Sequence, residues 1–338
     1  MTIVLNGTTG ITTPTTSTTG EFVTSVTGFK NRILNGGMVL DQRNAGASVT
    51  IGSATATYTL DRWLAYGSAG SAISVQKSTS APTGFTNSLL VTSLAATSIS
   101  SADTYWVRQY IEGYNVADLS WGTANAKTIT VSFWVRSSLT GTFGGALRNS
   151  AANRSYPFTY TISSADTWEQ KSVTVAGDTT GTWVTDSGAG LTVMFGLGVG
   201  STYSGTAGAW SATNYNSATG ATSVVGTSGA TFYITGVQLE KGSTATSFDY
   251  RPYGTELALC QRYYETSDGL VINSAWTALI NVIYWKVTKR ATPSTITTTV
   301  TSGSGAVFSS FGSGVSVVYQ SGANSAAAAA TVTANSEL

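Results

Sequence analysis

Polar side chains able to bind a ligand are concentrated in the segment 31–63, although the chain as a whole is poor in charge. Only 10% of its 338 residues are charged, so charges spaced this closely are expected to be held in place by partners. The segment contains three clusters, Asn31-Arg32 followed by Asn35, Asp41-Gln42-Arg43, and Asp61-Arg62-Trp63. Such a triplet could recognise a sugar, because an indole face can stack on a pyranose ring while a carboxylate and a guanidinium bond to its hydroxyls.

A structural role for these residues is favoured, because Asp61-Arg62-Trp63 follows a short strand pattern that buries alternate residues. In this interpretation Asp61 and Arg62 form an internal ion pair and Trp63 fills the core. Asp41-Gln42-Arg43 is interpreted in the same way, pairing with Gln238 or Glu240. Because charges are few, each buried pair would be costly to break. The predicted structural network comprises Asn31, Arg32, Asp41, Arg43, Asp61, Arg62, Gln238 and Glu240.

Metal chemistry has less support in the sequence. Asp41, Glu240 and Asp249 could offer carboxylate oxygens to a structural calcium ion, but they do not follow the spacing of a calcium-binding loop. Histidine is absent and Cys260 is the single cysteine, which excludes a zinc site and an internal disulfide. We therefore predict no metal and no cofactor. We expect Cys260 to be a small buried apolar side chain.

Aromatic residues in polar loops are the better candidates for binding sugar. Trp183, Tyr203, Trp210 and Tyr215 lie in the Gly/Ser/Asn-rich stretch 177–229, in which residues 199–220 show no strand pattern. Arg154 and Tyr156, with Arg148 and Asn153 nearby in sequence, form a second polar and aromatic cluster. Exposed aromatic side chains are unfavourable unless they serve packing or binding. Packing over the end of a β-sandwich is the alternative role for both groups.

A glycan-cleaving enzyme would need two convergent carboxylates. Asp166, Glu169, Asp178 and Asp186 are candidates by their density in sequence alone. They fall at strand ends, where aspartate commonly stabilises turns, and nothing marks two of them as a pair. The absence of histidine also removes the commonest general base. We predict that the protein is not an enzyme.

Net charge and hydropathy exclude several partners. The chain carries 17 basic and 16 acidic side chains, a net charge of +1, so it has no long-range attraction for nucleic acid or anionic membranes. The sequence has neither a signal-peptide pattern nor a run of 18 apolar residues, so no membrane insertion is expected. We expect a soluble protein made in the cytoplasm. It would leave the cell by assembly into a particle released by lysis.

The elements that must position these candidates are strands. Runs with period-two alternation recur at 48–51, 104–110, 128–136, 171–175 and 231–239, separated by turn residues. In the run 128–136, Ile129, Val131, Phe133 and Val135 share one face. One-sided strands of this kind suit two stacked antiparallel sheets. We predict an all-β chain, with a jelly-roll β-sandwich over residues 31–253.

The regions on either side of the sandwich have a different character. Residues 1–30 are rich in threonine and glycine and predict an extended N-terminal arm, either flexible or docked on a neighbouring subunit. Residues 254–264 predict a short helix with Thr255 as its N-cap and with Leu257, Cys260, Gln261 and Tyr264 on one face. Residues 265–338 return to strand patterns and predict a small C-terminal β-domain. Its small size predicts that oligomerisation supplies further buried area.

Several of these segments together resemble a family of tailed-phage tail-fibre and receptor-binding proteins with a carbohydrate-binding-module-like jelly roll. The resemblance runs from residue 31 to residue 264 in the family's order, and the arm's phrase LNGTTGITTP is also similar to segments of phage fibres. The matching segments are NRILNGGM at 31–38, DQR at 41–43, YTLDRW at 58–63, VSFWVR at 131–136, ITGVQLEKG at 234–242, Phe248, Arg251-Pro252 and ELALCQRYY at 256–264.

The resemblance implies a structural virion protein, usually a homotrimer, with no catalytic residues to carry over. The arm would attach to other virion proteins of the phage, and the displayed domains would contact host surface polysaccharide. The protein would then be located in a tail fibre or a head appendage. Three alternatives remain open: a capsid-decorating protein, a glycan depolymerase, and a spacer without a ligand.

Overall fold

This computed structural model describes the backbone of residues 5–6, 10–11, 29–68, 72–272, 278–302, 306–310, 313, 315–321 and 328–338. Side chains are described for residues 29–68, 72–267, 284–294, 296, 313 and 332–338. The predicted arm at 1–30 therefore lies outside the described residues. The exceptions are the paired strands β1 (Leu5–Asn6) and β2 (Gly10–Ile11), and the residues Phe29 and Lys30.

The predicted β-sandwich is confirmed, and it is built within residues 49–241, which contain fourteen strands. They are β3 (Val49–Thr50), β4 (Thr57–Tyr58), β5 (Leu64–Gly67), β6 (Ile73–Ser78), β7 (Ser88–Ser93), β8 (Thr104–Glu112), β9 (Ile129–Ser137), β10 (Gly141–Arg148), β11 (Ser155–Ile162), β12 (Glu169–Val175), β13 (Ala189–Val199), β14 (Ser204–Gly205), β15 (Ser217–Ala218) and β16 (Thr231–Lys241). Three 3₁₀ turns, Gly113–Asn115, Ala117–Leu119 and Ser201–Tyr203, interrupt the loops.

Two six-stranded antiparallel sheets make up the sandwich. Sheet I has the order β11-β10-β13-β8-β5-β4, and sheet II has the order β12-β9-β16-β7-β6-β3. The short strands β14 and β15 pair with each other in parallel outside both sheets.

The core lies between the inner faces of the two sheets, where apolar side chains at alternate positions of the strands meet. In β9, Ile129, Val131, Phe133 and Val135 are fully buried, as their period-two spacing predicts. Phe133 contacts Phe195 of β13 edge to face, with ring centroids 4.9 Å apart. Burial of one such side chain stabilises the fold by about 1.5–3 kcal/mol.

A short helix and a C-terminal β-region follow the sandwich, as predicted. The helix α1 (Tyr253–Gln261) leads into strands β17 (Tyr264–Ile272), β18 (Ala278–Tyr284), β19 (Thr295–Ser302), β20 (Ala306–Ser310), β21 (Val315–Ser321) and β22 (Ala328–Asn335). These form two three-stranded sheets, β17-β22-β19 and β18-β21-β20. Cys260 is buried, as expected, and burial raises the pKa of its thiol. Within the described residues, no helix has the length and apolarity needed to cross a bilayer.

Two predictions about the helix were wrong, namely its N-cap and the inclusion of Tyr264 in its face, since α1 ends at Gln261 and Tyr264 begins β17. The N-cap of α1 is Pro252 rather than Thr255, because the backbone carbonyl of Pro252 accepts the N–H groups of Thr255 and Glu256, both at 3.0 Å. The helix face that becomes buried includes Glu256, which the apolar pattern did not mark. The stretch 177–229 contains β13, whose glycine-rich sequence AGLTVMFGLGV hides the alternation of a strand.

Candidate functional site

The opening segment, residues 31–63, is built into the fold mainly by the amide side chains of Asn31 and Asn35. The Nδ2 of Asn31 donates to the carbonyl of Val237 at 3.0 Å, and its Oδ1 accepts the N–H of Leu239 at 3.1 Å. This side chain therefore bonds to the edge of β16 in place of a strand. Asn35 is fully buried and closes the turn to Leu40 with Nδ2 and Oδ1 hydrogen bonds.

The predicted ion pair between Asp61 and Arg62 is wrong. Asp61 instead accepts a hydrogen bond from Gln42 Nε2 at 2.7 Å and lies 3.5 Å from Arg43. Arg62 pairs with Glu337, a residue that the sequence did not bring into the network. The reason is geometric: Arg62 has a left-handed φ of 70°, which directs neighbouring side chains to different partners. Trp63 is fully buried in the core.

Other members of the predicted network have local or distant partners of their own. Arg32 pairs with Asp118 at 2.7 Å at the surface. The carboxylate of Asp41 caps a turn by accepting the N–H groups of Asn44 at 2.9 Å and Gly46 at 2.7 Å. The predicted pairing of the Asp41–Arg43 cluster with Gln238 or Glu240 is therefore wrong, since a turn satisfies Asp41 locally.

Gln238 and Glu240 form a separate arrangement with the loop that follows β16. Gln238 donates to Glu240 at 2.8 Å and accepts the N–H of Asp249 at 2.8 Å, while Glu240 also binds Thr246. Asp249 accepts the N–H groups of Lys30 and Asn31. Each of the three calcium candidates thus bonds to N–H groups. Within the part of the chain described, no group of three or more His, Cys, Asp or Glu side chains converges.

The loop aromatics predicted to bind sugar come together only in part. Trp183 and Trp210 form an edge-to-face cluster with Trp121, with ring centroids 4.7 to 5.5 Å apart, and Tyr156 lies 5.3 Å from Trp210. The three indole N–H groups donate to backbone carbonyls. These contacts are those of a packed cluster at the end of the sandwich.

The remaining loop candidates lie apart from this ring cluster or have ionic partners. Arg154 binds Asp178 through two hydrogen bonds of 2.6 and 2.9 Å. The ring of Tyr215 covers Gly205, where a Cβ would lie 2.3 Å from the ring. Tyr203 is half-buried and bonds through its backbone to Gly200 and Asn216.

The four candidate catalytic carboxylates bind four different partners. Asp166 lies 3.5 Å from Arg136, and Glu169 binds Lys171 at 2.6 Å. The salt bridge to Lys171 lowers the pKa of Glu169. Asp178 binds Arg154, and Asp186 accepts the N–H of Gly188 at 2.7 Å. Each carboxylate therefore has an ionic or turn-stabilising contact of its own.

One cavity among the described residues is lined in part by four aromatic side chains, Phe85, Phe248, Tyr250 and Tyr253. It has a volume of about 230 Å³ and lies between the loop before β7 and the segment SFDYRPY at 247–253. Phe85, Phe248 and Tyr250 form a three-ring wall with centroids 4.8 to 5.5 Å apart. Tyr250 and Tyr253 at its rim are 60% and 62% exposed. We call this feature the aromatic cavity.

Polar groups held in fixed positions lie beside these rings. Arg251, Glu256, Asp249 and Asn31 line the aromatic cavity, and Arg251 donates to Glu256 at 3.1 Å and to the carbonyl of Ile33 at 3.1 Å. The hydroxyl of Tyr250 donates to the carbonyl of Gly84 at 2.9 Å, which fixes the orientation of its ring. A rigid apolar wall with a few oriented polar groups is the usual character of a ligand site.

Sequence reasoning did not find the aromatic cavity, although part of it was visible. The aromatics at 248, 250 and 253 are close in sequence, but Phe85 comes from a loop more than 160 residues earlier. The opening segment also contributes Gly36, whose missing side chain permits close approach: a Cβ there would lie 2.2 Å from the carbonyl of Val237. The NGG motif at 35–37 thus supports the cavity wall through backbone packing.

Comparisons with known proteins give matches of structure only, because no family model and no curated protein matches the sequence. One match is the enzymatically active domain of tailspike protein 4 of bacteriophage CBA120, with 12% identity and a TM-score of 0.34. It covers 63% of this chain and only 22% of that chain.

Two sugar-related structures also match. A putative sugar binding protein from Bacteroides thetaiotaomicron has 11% identity and a TM-score of 0.36, and the match covers 63% of this chain and all of the other. The family 11 carbohydrate-binding module of Clostridium thermocellum has 10% identity and a TM-score of 0.30, with 61% of this chain and 100% of that chain covered. Identities and TM-scores this low describe at most a likeness of fold.

Proposed function

We propose that this protein is a fibre or spike subunit of a tailed phage that contacts host surface glycan through the aromatic cavity. The observation that carries the proposal is the pair of exposed tyrosines, Tyr250 and Tyr253, at the rim of a cavity with a rigid aromatic wall. The resemblance of segments 31–264 to phage fibre proteins supports the virion role.

The physical argument starts from the cost of leaving aromatic rings in water. Two large exposed rings beside a concave apolar surface form a patch that soluble proteins usually retain for binding. A pyranose ring has an apolar face of C–H groups that can pack on tyrosine, and its hydroxyls can bond to polar groups such as Asp249. Only one oxygen of Asp249 accepts hydrogen bonds among the described residues, namely from Lys30 and Asn31.

Adhesion without hydrolysis is part of the proposal. The four candidate carboxylates bind separate partners, whereas glycoside hydrolysis needs two carboxylates facing one bond. Weak contacts to glycan would be multiplied over the chains of an oligomer, which can raise the overall affinity by about 10²–10⁴. The release of reducing ends from host polysaccharide would instead support the depolymerase alternative.

Substitution of the rim tyrosines tests the site. Tyr253→Ala and Tyr250→Ala should each weaken binding of purified protein to host cells and to their extracted polysaccharide by about tenfold, the loss of about 1.4 kcal/mol per ring. Tyr284→Ala is the matched control, because Tyr284 is 77% exposed and does not line the aromatic cavity. Equal binding by all three variants and the parent protein would refute the site.

The virion role has its own tests. A capsid-decorating protein would bind purified capsids and not host cells, so the two binding assays separate the alternatives. We propose a homotrimer attached through residues 1–30, and sedimentation at micromolar concentration should show a species of about three chains. A stable monomer would contradict that oligomeric state, and it would leave the tyrosine experiment valid.

A further inference from the structure

Two arginines on the outer face of sheet I have no carboxylate partner. Arg108 lies on β8, where it is paired across the sheet with Leu64 on one side and Met194 on the other. Arg148 lies on β10 opposite Thr192, which is itself opposite Tyr110 of β8. The outer face is separate from the main core, since Leu64, Trp106 and Met194 form their own small cluster.

The other arginines, all of them within the described residues, have stronger partners. Seven form ion pairs with Asp or Glu side chains, and Arg290 donates to three backbone carbonyls. Arg148 bonds only to the amide oxygens of Asn214 and Asn216, at 2.5 and 3.0 Å. Arg108 is the one arginine of the described chain whose side chain has no hydrogen bond.

Three of the eleven buried side-chain polar atoms that lack a hydrogen bond, counted over the described residues, lie on neighbouring strands of this face. The Nε atoms of Arg108 and Arg148 and the hydroxyl oxygen of Thr192 are buried and lack any hydrogen bond. Thr192 is 1% exposed and Arg148 is 9% exposed. A buried polar atom left unsatisfied costs about 1–3 kcal/mol. An external polar group bound at this face would relieve part of that cost.

The electrostatics of the two arginines also favour a bound anion. Burial, with the charge of Arg148 also acting, lowers the pKa of Arg108 to about 10, and no carboxylate contributes to it. Burial lowers the pKa of Arg148 as well. Two positive charges near each other in a poorly hydrated place disfavour the unliganded state, and an anion would relieve both effects.

Aromatic side chains hold the Arg108 guanidinium in a fixed plane. It lies 3.9 Å from the ring centroid of Trp106 and 4.3 Å from that of Tyr110. Tyr66 stacks on Trp106 with centroids 5.1 Å apart. A purely structural role would explain this stack, because a cation is attracted to ring faces. It would not explain why the Nε of Arg148 and the hydroxyl of Thr192, on the next two strands, also lack hydrogen bonds.

We propose that this face, the arginine face, binds the carboxylate of an acidic saccharide such as a uronic or sialic acid residue. A planar guanidinium fork matches a carboxylate in a bidentate arrangement, and stacking has already removed much of its rotamer entropy. Half-buried Tyr66 and Tyr110 offer apolar surface to the sugar ring. The choice of a saccharide as the carrier rests on the proposed glycan contact, although the residues are different from those of the aromatic cavity.

Calorimetric titration with trigalacturonate and with sialyllactose tests the inference on the full-length protein. At least one of them should bind, and the carboxyl-reduced form of that ligand should bind at least tenfold more weakly. Arg108→Met should reduce the affinity at least tenfold. Arg136→Met is the matched control, because Arg136 lies over Tyr233 on sheet II and pairs with Asp166.

Further variants keep the test decisive. If Arg108→Met does not fold, Arg108→Lys retains the charge and should still weaken binding at least fivefold, because an ammonium group cannot form the bidentate fork. Failure of both acidic sugars to bind at millimolar concentration would overturn the proposal. So would equal binding of inorganic sulfate, which would indicate a general anion site. Weakening of trigalacturonate and sialyllactose binding by Tyr253→Ala but not by Arg108→Met would place these sugars in the aromatic cavity and overturn the proposal, so the two sites can fail separately.

Discussion

Removing the carboxylate of Glu337 should destabilise the fold far more than removing a surface carboxylate. Glu337 is the residue before the last and connects the C-terminal region to the opening segment by pairing with Arg62 and, at 3.0 Å, with Arg43. The exposed fractions of the Arg62 and Glu337 side chains are only 1% and 4%. In Glu337→Ala, the Arg62 guanidinium would remain buried with the carbonyl of Tyr110 and the ring of Tyr263 as its contacts.

The expected cost follows from that burial. Breaking a buried pair by removing one partner costs about 3–5 kcal/mol, because the remaining charge stays desolvated. The charge of Arg43 loses less stabilisation, because its second partner, Asp61, remains 3.5 Å away. The double variant Arg62→Met with Glu337→Ala removes both charges, so it should be more stable than the sum of the single changes by about 2–3 kcal/mol.

Urea denaturation followed by tryptophan fluorescence and by circular dichroism measures these differences. The control is Asp118→Ala, which removes an ion pair to Arg32 at a carboxylate that is 51% exposed. Exposed pairs contribute about 0–1 kcal/mol. If Glu337→Ala costs no more than Asp118→Ala, the buried network does not stabilise the protein and the reasoning is wrong.

Three further changes test other parts of the structure. Trp210→Ala should cost about 2–3 kcal/mol in urea denaturation, because its ring packs on Trp121 and Tyr156; a cost below about 0.5 kcal/mol would mean that the ring is a free platform. Gly36→Ala should destabilise strongly through a 2.2 Å clash with the carbonyl of Val237, whereas Gly254→Ala meets no atom within 4 Å and should be tolerated. Burial raises the pKa of Tyr263 to about 12, so the folded state keeps a proton that the unfolded state loses above about pH 10. The free energy of unfolding should therefore fall by about 2–3 kcal/mol between pH 10 and 12, and Tyr263→Phe should flatten that slope.

The sequence predicted those features that depend on local periodicity. Alternation of apolar residues identified β9 and its buried face, since a period of two can be recognised within a few residues. The same alternation predicted the burial of Trp63, and the apolar character of a single free cysteine predicted the burial of Cys260. It missed β13, in which both faces of the strand are covered and glycine replaces the polar residues that would show the alternation.

Local sequence patterns could not predict which charged residues form ion pairs with each other. Asp61 and Arg62 are adjacent in sequence, yet a left-handed backbone at Arg62 separates their partners. Arg62 meets Glu337 across 275 residues. No spacing rule predicts such a contact, because it depends on how the C-terminal region packs against the end of the sandwich.

The amino-acid sequence by itself determined the all-β class, the sandwich and the short helix that follows it, because hydrophobic alternation and turn residues act over short distances. Only the tertiary structure decided where the two proposed binding surfaces lie. In the folded chain Phe85 contacts Phe248 and Tyr250, and these rings form the wall of the aromatic cavity. Arg108 has no carboxylate partner among the described residues, whereas Arg43 and Arg62 of the opening segment form ion pairs. The physical reason is that a ligand site depends on distances between side chains, and sheet register and loop packing set those distances.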